Sequence, residues 1–457
     1  MVDLVIKSCK IVNPWGTFAA GLAVQDGKII TIGKDDSLPE SQKTIDAAGN
    51  YVIPGLIDTH VHLGPPASLQ ETASIDTVGA AVGGVTTIGN FMGGRAWFGT
   101  GSYAERFEQW KEIYEKYAVV DVFCHMFVVL DLHLKELIDN AKRYGMPSCK
   151  FHMGYREVEP GNVKWENADD GFLYRGFQDV ASLGSPARAM VHAENINIIN
   201  RIRPVIEASG RQDLAAWTDS RPTCSEVLAI EKAIHIAKVT ETPLYITHIS
   251  TADSVDVIAR AKAEGVDVIA ETCPQYLILT KYSNLGPLGK TNPPLRDKES
   301  NERLWRGIND NTVECMGTDH STHKRKAKQD IWTALPGISG MEYFLSLMLS
   351  EGVNKGRLTL EKLVEICCYN NARIFGIYPR KGTISVGSDA DLVIIDLNKS
   401  GTLSVNTSHQ LSDFCAYEGW EVKGLPLLTM IRGNVVAENG KLIARSGIGR
   451  YIHRPMH

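Results

Sequence analysis

No C-x-x-C pair occurs among the nine cysteines of this 457-residue chain. They stand at positions 9, 124, 149, 224, 273, 315, 367, 368 and 415, a scatter that suggests neither a zinc ribbon nor a disulfide framework. An odd, unpatterned set of thiols points to reduced cysteines in a cytoplasmic setting, packed as small hydrophobes. Long apolar runs are missing as well. Nothing approaches the ~18 uninterrupted apolar residues of a membrane span. The opening MVDLVIKSCKIVNPWG has no basic stretch followed by an apolar one, so it is not read as a secretory signal. Charge of a single sign is also lacking. Lys and Arg number 48 against 53 Asp and Glu, a net of -5, which removes any general attraction to nucleic acid or anionic membrane. Gly/Pro-rich linkers, low-complexity tracts and internal repeats are absent. No G-x-G-x-x-G follows the first long apolar strand, which weakens a dinucleotide-binding fold.

What is present is a contrast between the ends and the middle. VDLVIKSCKIV alternates, and GLAVQDGKIITIG holds a Gln-Asp-Gly-Lys turn between two apolar runs, a hairpin signal. Segments 382–395 and 427–443 have the same character. The middle alternates short β-branched runs with helical patterns. Eight candidate strands fall at 51–62, 85–91, 119–126, 148–153, 189–194, 244–250, 266–273 and 313–319. One intervening helix is expected to start after Thr251 as N-cap and to end at Gly265. Eight strands alternating with helices over about 320 residues match a (β/α)8 TIM-like barrel. The expected organisation is therefore an α/β chain. Residues 1–53 and 377–445 form a small β-sandwich assembled from both termini, 54–376 form the barrel, and 446–457 form a polar, basic tail. That tail is read as either frayed or packed across a subunit interface.

In such barrels functional groups sit at the C-terminal ends of strands. Strand one ends in Asp58-Thr-His60-Val-His62, strand four carries Lys150, strand five ends at His192, strand six at His248 and strand eight at Asp319. The chain has only 13 His, so four at these ends form a concentration rather than a scatter. His60 and His62 are two apart, and the period of two along a strand points both to one face. Neutral imidazoles with a carboxylate suit zinc, and equally manganese, cobalt, iron or nickel. Lys150 is the odd member, because an ammonium beside metal cations is costly to bury. A lysine carboxylated by CO2 would instead be an anionic bridge between two metals; a surface lysine is the alternative.

These residues carry a resemblance. The stretches PGLIDTHVHLG (54–64), AVGGVTTI (81–88), SCKFHMGY (148–155), VHAEN (191–195), THIS (247–250), ETCPQYL (271–277), NPPLR (292–296), GTDHS (317–321), GISGMEYF (337–344) and GIYPRKGTISVGSDADLVIID (376–396) resemble the cyclic amidohydrolases of the amidohydrolase superfamily, in the hydantoinase/dihydropyrimidinase branch. The resemblance implies two divalent metal ions, zinc first among them. His60, His62 and Asp319 would hold the more buried ion, His192 and His248 the second, and carboxylated Lys150 would bridge both. It makes Asp319 the general base, Tyr155 the group that stabilises the developing oxyanion, and Asn292 a contact for the substrate's ring amide. The implied reaction opens a small cyclic amide, ureide or imide and gives an N-carbamoyl amino acid. The implied assembly is a homotetramer or homodimer, with no nucleic acid or membrane partner. Allantoinase and dihydroorotase are neighbouring alternatives, and NPPLR is also reminiscent of dihydroorotases. Two others are a dihydropyrimidinase-like scaffold without catalysis and a hydrolase of a lactone or phosphoester on the same barrel.

The chain departs from the branch in three places. The segments LGPPASLQETAS and FMGGRAWFGTGSYAERF, with Trp97, Phe98 and Tyr103, are expected to form a mobile lid with aromatic faces. His320 and His323 are read as solvated loop residues. His152 shares a side with Lys150 by alternation, so it is placed behind the metal ligands.

Overall fold

The computed structural model describes residues 1–64, 66–92, 102–154 and 169–456. Eight parallel strands lie side by side in chain order: Leu56–His62, Val85–Met92, Asp121–Val128, Ser148–His152, Arg188–His192, Leu244–Ile246, Val268–Thr272 and Cys315–Met316. They are called the first to eighth barrel strands below. Closure runs through a short strand, His320–Ser321, which pairs in parallel with the first at His320↔Val61 and Ser321↔His62. The eighth strand is therefore broken, and Asp319 sits in the break with φ at 52°. Every strand is nearly wholly buried, as a parallel sheet covered by helices requires.

The helices follow their local signals. Ala252–Ala263 starts after Thr251, whose hydroxyl accepts the Ser254 N–H at 3.1 Å, and Gly265 leaves it at φ 81°. Leu69–Val82 opens on a capping box between Ser68 and Glu71. The expected hairpin at 25–28 is present, with Asp26 and Gly27 both at positive φ, as a two-residue turn between twisted strands demands.

The expected single strand 51–62 is split. Tyr51–Pro54 pairs antiparallel with the strand Leu392–Thr402, outside the barrel, and Leu56–His62 pairs inside it. Gly55 makes the join, since a Cβ there would lie 2.2 Å from the Thr86 hydroxyl. A seven-stranded sheet runs from both chain ends, with Lys10–Asn13, Gly16–Ala19 and Tyr51–Pro54 beside Leu392–Thr402, Glu421–Ile431, Asn434–Glu438 and Lys441–Leu442. Against it packs a four-stranded sheet of Val2–Lys7, Gly21–Gln25, Lys28–Gly33 and Ser41–Asp46. Their shared core includes Ile6, Val24 and Val52 from one end of the chain and Leu392 and Met430 from the other. Each such buried side chain contributes about 1.5–3 kcal/mol.

The tail packs along its own barrel. Val122 N–H donates to Arg450 O at 2.9 Å and Ile452 N–H to Val122 O at 2.8 Å. Arg454 is wholly buried at the lower end, its guanidinium 4.6 Å from the Phe123 ring, donating to Ser148 Oγ at 2.9 Å. Nearby, Asp121, Asp389 and Asp391 cluster around the Lys381 ammonium, which lies 2.7 Å from Asp121 and 3.3 Å from Asp389. Arg432 also bonds to Asp121, so these acids are counter-charges that join sandwich to barrel. Among the described residues, no helix is long and apolar enough to cross a membrane.

Candidate metal centre

The strand ends bring six of the eight expected site residues to the mouth of the barrel. His60 is buried at the end of the first strand. The Glu271 carboxylate, on the seventh, accepts its Nδ1–H at 2.6 Å. This fixes the tautomer and leaves Nε2 facing Lys150 Nζ at 2.9 Å and Asp319 Oδ1 at 3.2 Å. His62 Nε2 lies 3.2 Å from the same Asp319 oxygen. Ligand atoms of His60, His62 and Asp319 all fall within 4.8 Å of one another. Phe91 backs this group, with ring centroids 4.6 Å from His60 and 5.1 Å from His62, and Lys150 Nζ 4.3 Å above its face.

On the other side, His192 ends the fifth strand and His248 lies two residues past the sixth, at φ 40°. Glu194 accepts the Nε2–H of His192 at 2.8 Å, which turns Nδ1 toward His248 Nε2, 3.0 Å away. Two imidazole nitrogens therefore converge, the His192 ring held from behind by Glu194. The His248 backbone N–H donates to Glu271, so one carboxylate serves both halves of the site.

Asp319 owes its place to Asp58, whose carboxylate takes both the N–H (2.9 Å) and the hydroxyl (2.6 Å) of Thr318. Gly317 lets the chain pass close to His60, since a Cβ there would be 2.6 Å from the His60 Cβ. Burial lowers the proton affinity of His60, His62, His192 and His248, which favours the neutral, ligating imidazole. Burial likewise brings Lys150 down to about 8 and pushes Glu271 and Asp58 up to about 7. Asp319 goes the other way. Its burial is outweighed by the charge that His60 carries once protonated in acid, by the hydrogen bond from His62 and its charge when protonated, and by the Lys150 ammonium, and it is held down at about 2.

Asn292 is buried on the loop after the seventh strand, between Thr291, whose carbonyl accepts from Trp217 Nε1 at 2.9 Å, and Pro293, whose carbonyl accepts from Tyr276 Oη at 2.8 Å. Tyr155 lies outside the described residues, as do Trp97 and Phe98. His152 stacks on His192 at 3.9 Å and 14°, on the side that alternation gives it.

Three expectations need correction. His320 is fully buried, its Nε2 3.3 Å from Asp76 Oδ2 and its Nδ1 accepting from Gly340 N–H, because the short strand that closes the barrel carries it inward. His323 is buried too, beside Ser321 Oγ and the Pro336 carbonyl. Tyr103 is not an aromatic lid face. It begins the helix Tyr103–Tyr117, is 3% exposed, and its hydroxyl donates to the Met92 and Phe127 carbonyls, which also places it in the core.

Sequence reasoning left three residues without a role: Glu271, Glu194 and Asp58. A shared signal was available, since each is an acid within two residues of a site histidine or near a strand's C-terminal end.

A barrel whose strand ends gather four imidazoles, a lysine and a carboxylate has the architecture and donor set of the metal-dependent amidohydrolases. Residues 190–436 match the Amidohydrolase family. The L-hydantoinase of Paenarthrobacter aurescens is 36% identical over 99% of this chain and 98% of its own length. The D-hydantoinase of Geobacillus stearothermophilus is 34% identical over 98% of this chain and 96% of its own. The solved L-hydantoinase (dihydropyrimidinase) from Arthrobacter aurescens superposes with a TM-score of 0.92 at 36% identity, covering 99% of this chain and 100% of that one. The chain belongs to the amidohydrolase superfamily, in its hydantoinase/dihydropyrimidinase branch.

Proposed function

We propose that the protein hydrolyses the ring amide of a hydantoin or a dihydropyrimidine and releases an N-carbamoyl amino acid. One observation carries the reading: two groups of neutral imidazole nitrogens converge on either side of a buried lysine at the mouth of a (β/α)8 barrel. The donor set fits two divalent ions, with His60, His62 and Asp319 for one, His192 and His248 for the other, and Lys150 between them. Zinc suits this set, as do manganese, cobalt, iron and nickel. When bound, such ions polarise a carbonyl and make hydroxide available near neutral pH.

The chain supplies the rest. Lys150, with its amine brought down to about 8, has the free base needed to add CO2. The N–C bond forms, one proton leaves the nitrogen, and the neutral amine becomes a two-oxygen anion. Asp319 is ionised at neutral pH, so it can take the proton of the attacking water and hand it to the leaving ring nitrogen. Tyr155 is assigned to the developing oxyanion, where a donor has its largest effect, and Asn292 to the ring amide. The barrel at 54–376 is assigned the catalysis, the β-sandwich of 1–53 and 377–445 its support, and 446–457 the tail. Nine free cysteines suit a cytoplasmic location. We propose an assembly of two or four copies from the resemblance alone, to be checked by light scattering.

The test is a turnover panel with metal analysis on the same sample: hydantoin, 5-substituted hydantoins of both hands, dihydrouracil, allantoin, dihydroorotate and cyclic imides. At least one ring amide should open, and Asp319→Asn should lose about 10²–10⁴-fold of that rate. A two-metal protein that opens none of these rings would overturn the assignment.

A further inference from the structure

Behind His192 lies a buried chain of charges that neither the ligand set nor the reaction accounts for. Glu194 accepts from His192, and Arg221 Nη1 donates to the same Glu194 oxygen at 2.7 Å. The central carbon of the Arg221 guanidinium lies over the Trp217 ring, 4.7 Å from its centroid. Trp217 in turn donates its indole N–H to the Thr291 carbonyl at 2.9 Å, next to Asn292. The far end of the same loop returns to the same residue: Arg296 Nη1 donates to the Arg221 carbonyl at 2.6 Å. Arg296 also donates to Ser250 Oγ at 3.0 Å and to Glu226, and Ser250 stands two residues past His248. Arg221 and Arg296 are each 3% exposed, so little solvent screens this network.

We propose that Arg221 is a positioning residue that ties the imidazole pair His192 and His248 to the loop 291–296. Retention of the second ion and placement of the substrate ring are then set by one guanidinium. The inference rests on the function proposed above. Its two contacts use different properties of arginine. The bond to Glu194 needs only one N–H of a cation, whereas reaching Glu194 and the Trp217 ring at once takes the breadth of a guanidinium, since Lys290 Nζ already lies 3.8 Å over that ring. Arg221→Lys should keep the first and lose the second, while Arg221→Met loses both. Trp217→Leu breaks the link to the loop, along with the ring's contacts to Lys290 and Trp332, and leaves the bond between Arg221 and Glu194 in place.

The experiment measures three quantities on metal-loaded protein: ions per chain, the rate of ion release to a chromogenic chelator, and the visible spectrum of a cobalt-substituted sample. KM and kcat are then taken on whichever ring amide the wild-type chain opens. Arg221→Met should release one of its two ions about 10- to 100-fold faster, the scale of a lost partner behind a ligating histidine, with an altered cobalt spectrum. Arg221→Lys should hold both ions with a wild-type spectrum. Together with Trp217→Leu, it should show KM raised at least about fivefold with kcat within twofold, since the change acts on ring binding alone. An Arg221→Met protein that keeps both ions at the wild-type release rate overturns the link to His192. Wild-type KM in both Arg221→Lys and Trp217→Leu overturns the link to the loop. The metal measurements need no substrate, so a wild-type chain that opens no ring amide would sink the proposed function and still leave the His192 link tested.

Discussion

Replacing Glu271 by Gln keeps the shape of the side chain and removes one charge and one acceptor. Four donors converge on this carboxylate. Oε1 receives His60 Nδ1–H at 2.6 Å and the His248 N–H at 3.0 Å; Oε2 receives Tyr245 Oη–H at 2.7 Å and Thr59 Oγ1–H at 3.1 Å. A glutamine has one acceptor oxygen. If that oxygen faces Tyr245, the NH2 points at two fixed N–H donors, an arrangement with no relief. If it faces His60, the NH2 points at two hydroxyls, which rotate and accept. The second orientation wins. His60 then keeps its partner, but through a neutral bond where it had a charge-assisted one, which is about twice as strong. The loss in holding His60 is about 1–2 kcal/mol, the gap between bonds to charged and to neutral groups. Each 1.4 kcal/mol is about tenfold in affinity, so the variant should bind its ions about 5- to 30-fold more weakly.

Chelator competition on the purified variant reads that number directly, and thermal melting of the metal-free chain supplies the control. Metal-free stability should change by less than the metal affinity does, because the two hydroxyls re-pair with the amide. At saturating metal kcat should stay within about threefold, since Glu271 orients a ligand and touches no reacting atom. Unchanged metal affinity in Glu271→Gln would refute the claim that this carboxylate sets the His60 tautomer. A large drop in kcat at full occupancy would refute the claim that it acts only through His60.

Lys150→Ala should lose metal-dependent turnover, and short carboxylates such as acetate or propionate should restore part of it by supplying the missing two-oxygen bridge; no rescue at any concentration counts against the bridge. Glu194 has its carboxyl held down at about 2, with burial outweighed by the charge of Arg221 and by the bond and charge of His192. Its folded pKa lies below the unfolded value near 4.5, so the stability it lends is full above that value and drains away as pH falls through about 2. That stability is on the order of 3 kcal/mol. Urea midpoints should therefore show Glu194→Gln clearly weaker than wild type at pH 7, with the gap closing below pH ~4.5; a gap that widens in acid would refute the sign.

Much of this centre is legible in the sequence because the barrel converts chain order into position. Once eight strands are found from their β-branched runs, the C-terminal end of each is a point on one ring, and His60, Lys150, His192, His248 and Asp319 fall on it. What stays hidden is whatever depends on partners distant in the chain. Glu271 and His60 are 211 residues apart, and nothing near either names the other. The break in the eighth strand is equally silent. Asp58 captures Thr318, and this 260-residue contact bends Asp319 into positive φ, whereas the local pattern at 313–319 reads as one uninterrupted strand. His320 looks like part of a basic, solvated loop because its neighbours are charged, yet closing the barrel carries it inward beside Asp76. The tail, short and polar, reads as either frayed or packed across a subunit interface, while Arg454 finds apolar faces on Phe123 and Phe375 of its own barrel that no local signal announces.

Charge balance then connects Lys150 to the number of ions. Among the described residues four acids crowd this site, the buried Asp58, Glu194 and Glu271 and the largely covered Asp319, against two cations, Arg221 and Lys150. Burial alone pushes Asp58 and Glu271 up to about 7, and a nearby metal cation favours their ionised forms; with all of these ionised the site is short of two positive charges. One divalent ion makes up that deficit if Lys150 stays an ammonium. If Lys150 becomes a carbamate the deficit grows to four, which two divalent ions cancel. Neutrality alone therefore allows either pairing, and leaves two ions beside an ammonium with two positive charges to be offset. Geometry separates the two that remain. The Lys150 nitrogen lies 2.9 Å from His60 Nε2, and an ammonium there would donate a proton to the one imidazole nitrogen that Glu271 has freed for a ligand. The convergent pair of His192 and His248 would meanwhile hold nothing. A carbamate would resolve both conflicts at once, taking the donor away from His60 and supplying two anionic oxygens for the ions. Ion stoichiometry and carboxylation of Lys150 should therefore move together: protein reloaded in bicarbonate should reach two ions per chain, and protein reloaded under CO2-free gas should stop near one. The amine already favours the exchange, since lowering it from 10.5 to about 8 multiplies its free-base fraction at pH 7 about 300-fold. Two ions bound with an unmodified lysine, by mass analysis of the intact loaded protein, would break this argument at its first step.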